Sequence, residues 1–216
     1  MKKKKVPSII KDQRLVEYRR NQIISASVTL FKEKGFHRTT TREISKACGF
    51  SIGALYEYIG SKEDVLFLVC DAIFDEVINR FTPHLETDVV GIERLKLVID
   101  SYFRVVDQMQ DETLVMYQET KALDDETKPY VFQKDQLMLE SIERVIRECV
   151  EGGSLHLSEN QIKLASHNII VSGHMWAFRR WNLEQLYTID EYIELQTNQL
   201  LYGLGSLTPV KDTSTI

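Results

Sequence analysis

Residues 36–66, FHRTTTREISKACGFSIGALYEYIGSKEDVL, decide how this chain is to be read. Thr40 and Glu43 place a hydroxyl and a carboxylate three residues apart, the spacing of an N-terminal capping box. The box predicts a short helix through about Cys48, with Ile44 and Ala47 turned inward. Gly49 supplies the turn. Ser51 then caps a second short helix from Ile52 to about Ile59, with Leu55 and Ile59 one turn apart. Two such helices joined by a glycine-containing turn form a helix-turn-helix. Ser61 and Asp64 repeat the cap pattern, with Asp in place of Glu. They open a long amphipathic helix that Pro83 ends.

The same criteria extend in both directions. Upstream, Ile23, Ile24, Ala26, Leu30 and Phe31 keep helical spacing over about 17–34, and Gly35 stops the run. Residues 1–16 read as a flexible basic arm broken by Pro7. Downstream, apolar periodicity predicts helices over about 88–108, 112–123, 129–150, 158–181 and 190–202. Strand patterns are essentially absent. The fold class is therefore all-α, with about nine helices. The expected parts are a basic arm (1–16), a three-helix head carrying the helix-turn-helix (17–62), a helical body (63–207) and a mobile tail (208–216).

Composition narrows the function. The longest apolar run, Val65 to Cys70, is far too short for a bilayer, and no apolar stretch follows Lys2–Lys5 as a secretory signal requires. Cys48, Cys70 and Cys149 are few and scattered, which suits a reducing cytoplasm better than a disulfide framework or a zinc ribbon. The net charge of −5 conceals a division. Residues 1–62 hold 14 Lys+Arg against five Asp+Glu, a net +9, which leaves −14 on the remainder. Such an asymmetry suits a nucleic-acid-binding head on an acidic body, although a solvated basic tail gives the same count.

The quoted stretch resembles the DNA-binding domain of the TetR family (TetR/AcrR type) of bacterial transcriptional regulators. The likeness lies in Gly35-Phe36 followed by Thr40-Thr41, Ile44-Ser45 with Ala47, Gly49-Phe50-Ser51, and Gly53-x-Leu55-Tyr56-x-Tyr58. It covers roughly residues 17–66; the rest is similar only in length and helicity. The resemblance implies a homodimer on a palindromic operator in double-stranded DNA, mostly a repressor released by a small ligand. It also implies that Thr40, Thr41, Arg42, Ser51, Ile52, Gly53, Ala54, Tyr56, Tyr58 and Lys62 face DNA. The residue types suit those roles. Gly53 and Ala54 permit close approach, Ala54 fits a thymine methyl, Arg42 reaches a guanine edge or a phosphate, and the Tyr hydroxyls suit phosphates. This sequence has Ala54 where the family often has Thr, and Ile59 where Phe is usual. Glu57 either accepts from a cytosine amine or points away from DNA. The basic arm would add contacts to flanking phosphates or the minor groove.

In the body, the resemblance implies a dimer interface on the last two helices, drawn from Ile162, Ile169, Gly173, Ala177, Trp181, Tyr192, Ile193 and Leu200. Candidate effector-lining residues are Phe103, Met109, Met116, Tyr117, Trp176 and Phe178, with Arg179 and Arg180 for an anionic group. Some members of the family sense fatty acids or acyl-CoA, which such a pocket would suit. His167 and His174, seven apart on one helix, make a poor metal site. No nucleophile–base set or Gly-rich phosphate loop is present, so neither catalysis nor a cofactor is expected. A regulator with no small-molecule effector, acting as an activator or through a protein partner, is the alternative. A helical carrier or enzyme is a third reading.

Overall fold

The structure, a computed structural model, describes residues 3–85 and 87–205. The tail expected at 208–216 lies outside the described residues. Ten α-helices and no strand are present among the described residues: α1 Gln13–Arg38, α2 Thr41–Ala47, α3 Ile52–Tyr56, α4 Lys62–Phe81, α5 Gly91–Gln108, α6 Gln110–Glu119, α7 Lys128–Glu151, α8 Glu159–Phe178, α9 Arg180–Leu186 and α10 Ile189–Gly205. The all-α class follows as predicted.

Two boundaries depart from the sequence reading for identifiable reasons. Asp12 accepts the N–H groups of Arg14 and Leu15, so α1 begins at Gln13 and absorbs the end of the predicted arm. Arg179, at φ −109° and ψ 14°, leaves the helical region and divides the helix predicted over 158–181 into α8 and α9. That division adds the tenth helix.

Contacts separate the chain into two units. One runs up to Glu76 and includes Asp111–Lys134; the other holds Val77–Gln110 and the chain from Asp135 onward. In the first unit, α1 buries Val16, Ile23, Ser27 and Phe31 along one stripe. Ile44 of α2, Leu55 of α3 and Leu66 of α4 join them as fully buried side chains.

In the second unit, α5 packs on α8 and α10. Their crossing explains a glycine inside a helix. A Cβ on Gly173 would lie 2.6 Å from Tyr102 Cε1 and 3.2 Å from Phe103 Cδ1. Tyr192 donates its hydroxyl to the Ser172 carbonyl at 2.6 Å, and its ring centroid lies 4.8 Å from that of Trp176.

This packing corrects most of the predicted dimer residues. Ile162, Ile169, Gly173, Ala177, Tyr192 and Ile193 are buried within the unit's own core. Leu200 is partly buried, and only Trp181 is open. Periodicity identifies an apolar stripe without saying whether the same chain or another covers it.

Candidate nucleic-acid interface

The interface starts from the caps. Thr40 Oγ1 accepts the Glu43 N–H at 3.3 Å, and Glu43 Oε2 accepts the Thr40 N–H at 2.9 Å, completing the predicted box. Lys34 pairs with the same carboxylate. Lys34 and the Thr40 donors hold the Glu43 pKa down to about 2, so the box stays charged at physiological pH. Gly49 turns the chain at φ +72°, and Phe50 N–H closes on the Ser45 carbonyl at 2.8 Å. Ser51 Oγ accepts the Ala54 N–H at 3.1 Å and starts α3.

Helix α3 is one and a half turns long and cannot persist alone. Leu55 and Ile59 anchor it in the core. The opposite side is open: Ser51 and Gly53 are exposed, and Ile52 and Tyr56 are each 42% exposed. Tyr56 Oη donates to Thr41 Oγ1 at 3.3 Å, which joins the end of α3 to the first turn of α2. Arg42 is exposed and forms no ion pair or side-chain hydrogen bond among the described residues. Thr40, Thr41, Arg42, Ser51, Ile52, Gly53, Ala54 and Tyr56 all keep accessible surface.

Two predicted contacts are otherwise engaged. Tyr58 is 7% exposed, with its ring 6.2 Å from that of Phe50, so it serves packing. Lys62 sends Nζ back to the carbonyls of Phe36 and Thr39, 3.1 Å each, and lies 4.2 Å over the Phe36 ring. It caps the carbonyls that end α1, the place where a cation is most useful to a helix. Sequence reasoning missed Lys46. It stands one turn beyond Arg42 on α2, is exposed and has no ion pair among the described residues. The i, i+4 spacing from Arg42 was the available signal.

The effector candidates scatter. Phe103, Met109 and Trp176 are buried in the second unit, and Trp176 Nε1 donates to Asp107 Oδ1 at 2.7 Å. Phe178 is half-buried beside His174, ring centroids 5.6 Å apart. Arg179 is exposed over Trp181, whereas Arg180 reaches Gln110 Oε1 at 3.5 Å. Met116 and Tyr117 belong to the first unit, and Tyr117 is 65% exposed, so its ring lines no interior there. His167 is exposed and His174 buried, and burial pushes His174 down to about 4, leaving a neutral imidazole. Asp135 is raised by burial and forms no hydrogen bond or ion pair among the described residues. Among those residues no His/Cys/Asp/Glu group suited to a metal occurs, and no helix is long and apolar enough to cross a membrane.

Comparison with known proteins places the chain among regulators. Residues 23–69 match the model of bacterial regulatory proteins, tetR family, and residues 88–181 match that of a tetracyclin repressor-like C-terminal domain. The HTH-type transcriptional regulator HbdR of Aromatoleum sp. (strain CIB) is 32% identical over 189 residues, covering 88% of this chain and 82% of that protein. A tetR-family regulatory protein from Rhodococcus RHA1 superposes with a TM-score of 0.79 at 20% identity, over 88% of this chain and 98% of that one. FadR from Bacillus subtilis, solved with stearoyl-CoA, superposes at 0.67 with 23% identity, over 86% and 97%. The two structural likenesses concern the fold.

Proposed function

Because the chain belongs to the TetR family of bacterial regulatory proteins, we propose that it acts as a homodimeric repressor, holding a palindromic operator until a small, largely apolar effector releases it. Helix-turn-helix regulators of this family control transcription and are not enzymes. One observation carries the DNA reading: an accessible α2–α3 face, with Arg42 unpaired, on a segment of net charge +9. Helix α3 enters the major groove. Ile52 and Ala54 suit thymine methyls, Arg42 suits a guanine edge or phosphate, and Tyr56 exchanges its 3.3 Å bond to Thr41 for a phosphate oxygen.

Exposed apolar residues support the dimer. Leu164 and Val171 on α8 are 61% and 60% exposed, and Leu195 and Tyr202 on α10 are 55% and 80% exposed. Each pair is spaced seven residues apart, so each forms a straight stripe along its helix. This stripe replaces the buried residues as the dimer surface. For the effector, FadR's stearoyl-CoA favours a long-chain acyl group. The polar Asp135 and His174, beside the aromatic rings of α5 and α8, would orient it.

The test begins with selection of duplexes from a random pool by the wild-type chain. A palindromic consensus is expected, bound by two copies with a negative slope of log K against log salt. Palmitoyl-CoA or stearoyl-CoA should then release it. An unenriched pool would remove the DNA reading, and indifference to both thioesters would remove the effector class alone.

A further inference from the structure

The N-terminal cations invite a phosphate-binding reading, but the segment that carries them is committed to the protein itself. Ile9 donates its N–H to the Glu57 carbonyl at 2.9 Å, and Ser8 Oγ donates to the same oxygen at 2.9 Å. Glu57 is the residue that closes α3. Arg20 of α1 spans three more carbonyls: Nε donates to Tyr58 at 3.0 Å, and one terminal nitrogen donates to Val6 at 2.9 Å and Pro7 at 3.1 Å. One guanidinium therefore joins α1, the N-terminal segment and the exit from α3.

Packing and charge follow the same course. Val6 is buried. A Cβ at Gly60 would stand 2.8 Å from Pro7 Cγ, so the two segments meet more closely than any side chain at 60 would allow. Lys4 Nζ lies 3.0 Å from Asp64 Oδ1, while Asp64 Oδ2 accepts the N–H groups of Gly60 and Ser61 at 3.0 Å each. Lys3 pairs with Asp71 at 2.5 Å. Two of the arm's cations are thus offset by acids of their own unit.

We propose that Lys3–Ile10 is a positioning strap for the recognition helix, fixing the C-terminal end of α3 between α1 and α4, and not an arm that reaches DNA. The carbonyls that end so short a helix need partners, and the strap with Arg20 supplies them. DNA affinity then depends on this segment through the geometry of α3, without phosphate contacts from it. The inference rests on the DNA-binding reading of α2–α3.

The test uses the full chain and a duplex enriched by the wild type. Ser8→Ala with Ile9→Pro removes both donors to Glu57 and changes no charge. It is expected to weaken binding by roughly tenfold, with the salt slope unchanged. Ser8→Ala alone, the milder variant should the pair fail to fold, is expected to weaken binding about threefold. Lys5→Gln, at an exposed lysine with no partner among the described residues, is expected to bind like wild type at every salt concentration. If Lys5→Gln lowers the slope by about 0.9 while the Ser8 variants bind normally, the segment is a phosphate-binding arm and the strap is refuted. Amide exchange gives a second readout that needs no DNA. Residues 52–60 should exchange faster in the Ser8 variants while 16–34 keep their protection; unchanged exchange over 52–60 overturns the proposal even if no duplex is ever enriched.

Discussion

Gly173→Ala puts numbers on the α5–α8 crossing. An alanine there gains about 1 kcal/mol of helix propensity, so on an open helix face it would stabilise. Here the new methyl would sit 2.6 Å from Tyr102 Cε1 and 3.1 Å from Tyr102 Cδ1. The ring must retreat by about 1 Å to restore contact distance. It has no room, because Tyr102 is fully buried, with ring centroids of Phe81 at 5.8 Å and Phe103 at 6.2 Å. Overpacking of this kind costs about 1–3 kcal/mol. After the propensity gain, a net loss of about 1 kcal/mol is expected, which lowers the melting temperature by about 2–4 °C. Thermal unfolding at one fixed protein concentration measures it, since a dimer's midpoint moves with concentration. In a Tyr102→Leu background the methyl fits, and Gly173→Ala should turn neutral or stabilising, a coupling of about 1–2 kcal/mol. A higher melting temperature for Gly173→Ala in the otherwise wild-type chain would refute the close crossing.

Other outcomes follow from the same structure. Leu164→Glu combined with Leu195→Glu should leave the fold intact by circular dichroism and convert the proposed dimer to a monomer in sedimentation; a persistent dimer places the interface elsewhere. Arg42→Ala should weaken the selected duplex and reduce the salt slope by about 0.9 for each phosphate that Arg42 neutralises, whereas an unchanged slope with relaxed sequence preference would assign Arg42 to a base edge. His174 is buried and titrates near 4, below its usual 6.5, so the unfolded chain binds this proton first and stability falls as pH drops from about 6.5 to about 4. The loss attributable to this group is roughly 3 kcal/mol. It is read as the difference between wild type and His174→Gln in melting temperature against pH, and parallel curves would discard the assignment.

What the sequence disclosed and what it hid divide by range. The Thr40–Glu43 box and the Ser51 cap involve partners three residues apart, so local chemistry suffices to read them. The Asp12 cap is equally local, but a proline five residues earlier masks it by suggesting that order begins later. Tyr58 and Lys62 illustrate the other case. Both fit a DNA-facing pattern, and only the tertiary structure brings Phe50 against the first and the Phe36 and Thr39 carbonyls around the second. The strap was beyond sequence reading for the same reason. Charge alone sends lysines to phosphate, and nothing local ties Lys4 to Asp64 or Asp124.

These pairings also change what the +9 head means for DNA. Lys3, Lys4, Lys32 and Lys34 are matched by Asp71, Asp64, Asp111 and Glu43, while Arg20 and Lys62 are occupied by backbone carbonyls. On α2, Arg42 and Lys46 remain exposed without ion pairs among the described residues. In the proposed dimer, two protomers would bring about four such cations to an operator, and the slope of log K against log salt from them would be about −4. The head's full cationic complement would give a slope several times steeper. Beyond the share that unpaired cations supply, affinity comes from the fit of α3 to base edges. A short helix achieves that fit only when its far end is held, and that makes the strap's neutral contacts to Glu57, together with the Arg20 contact to Tyr58, as consequential for binding as the exposed charges.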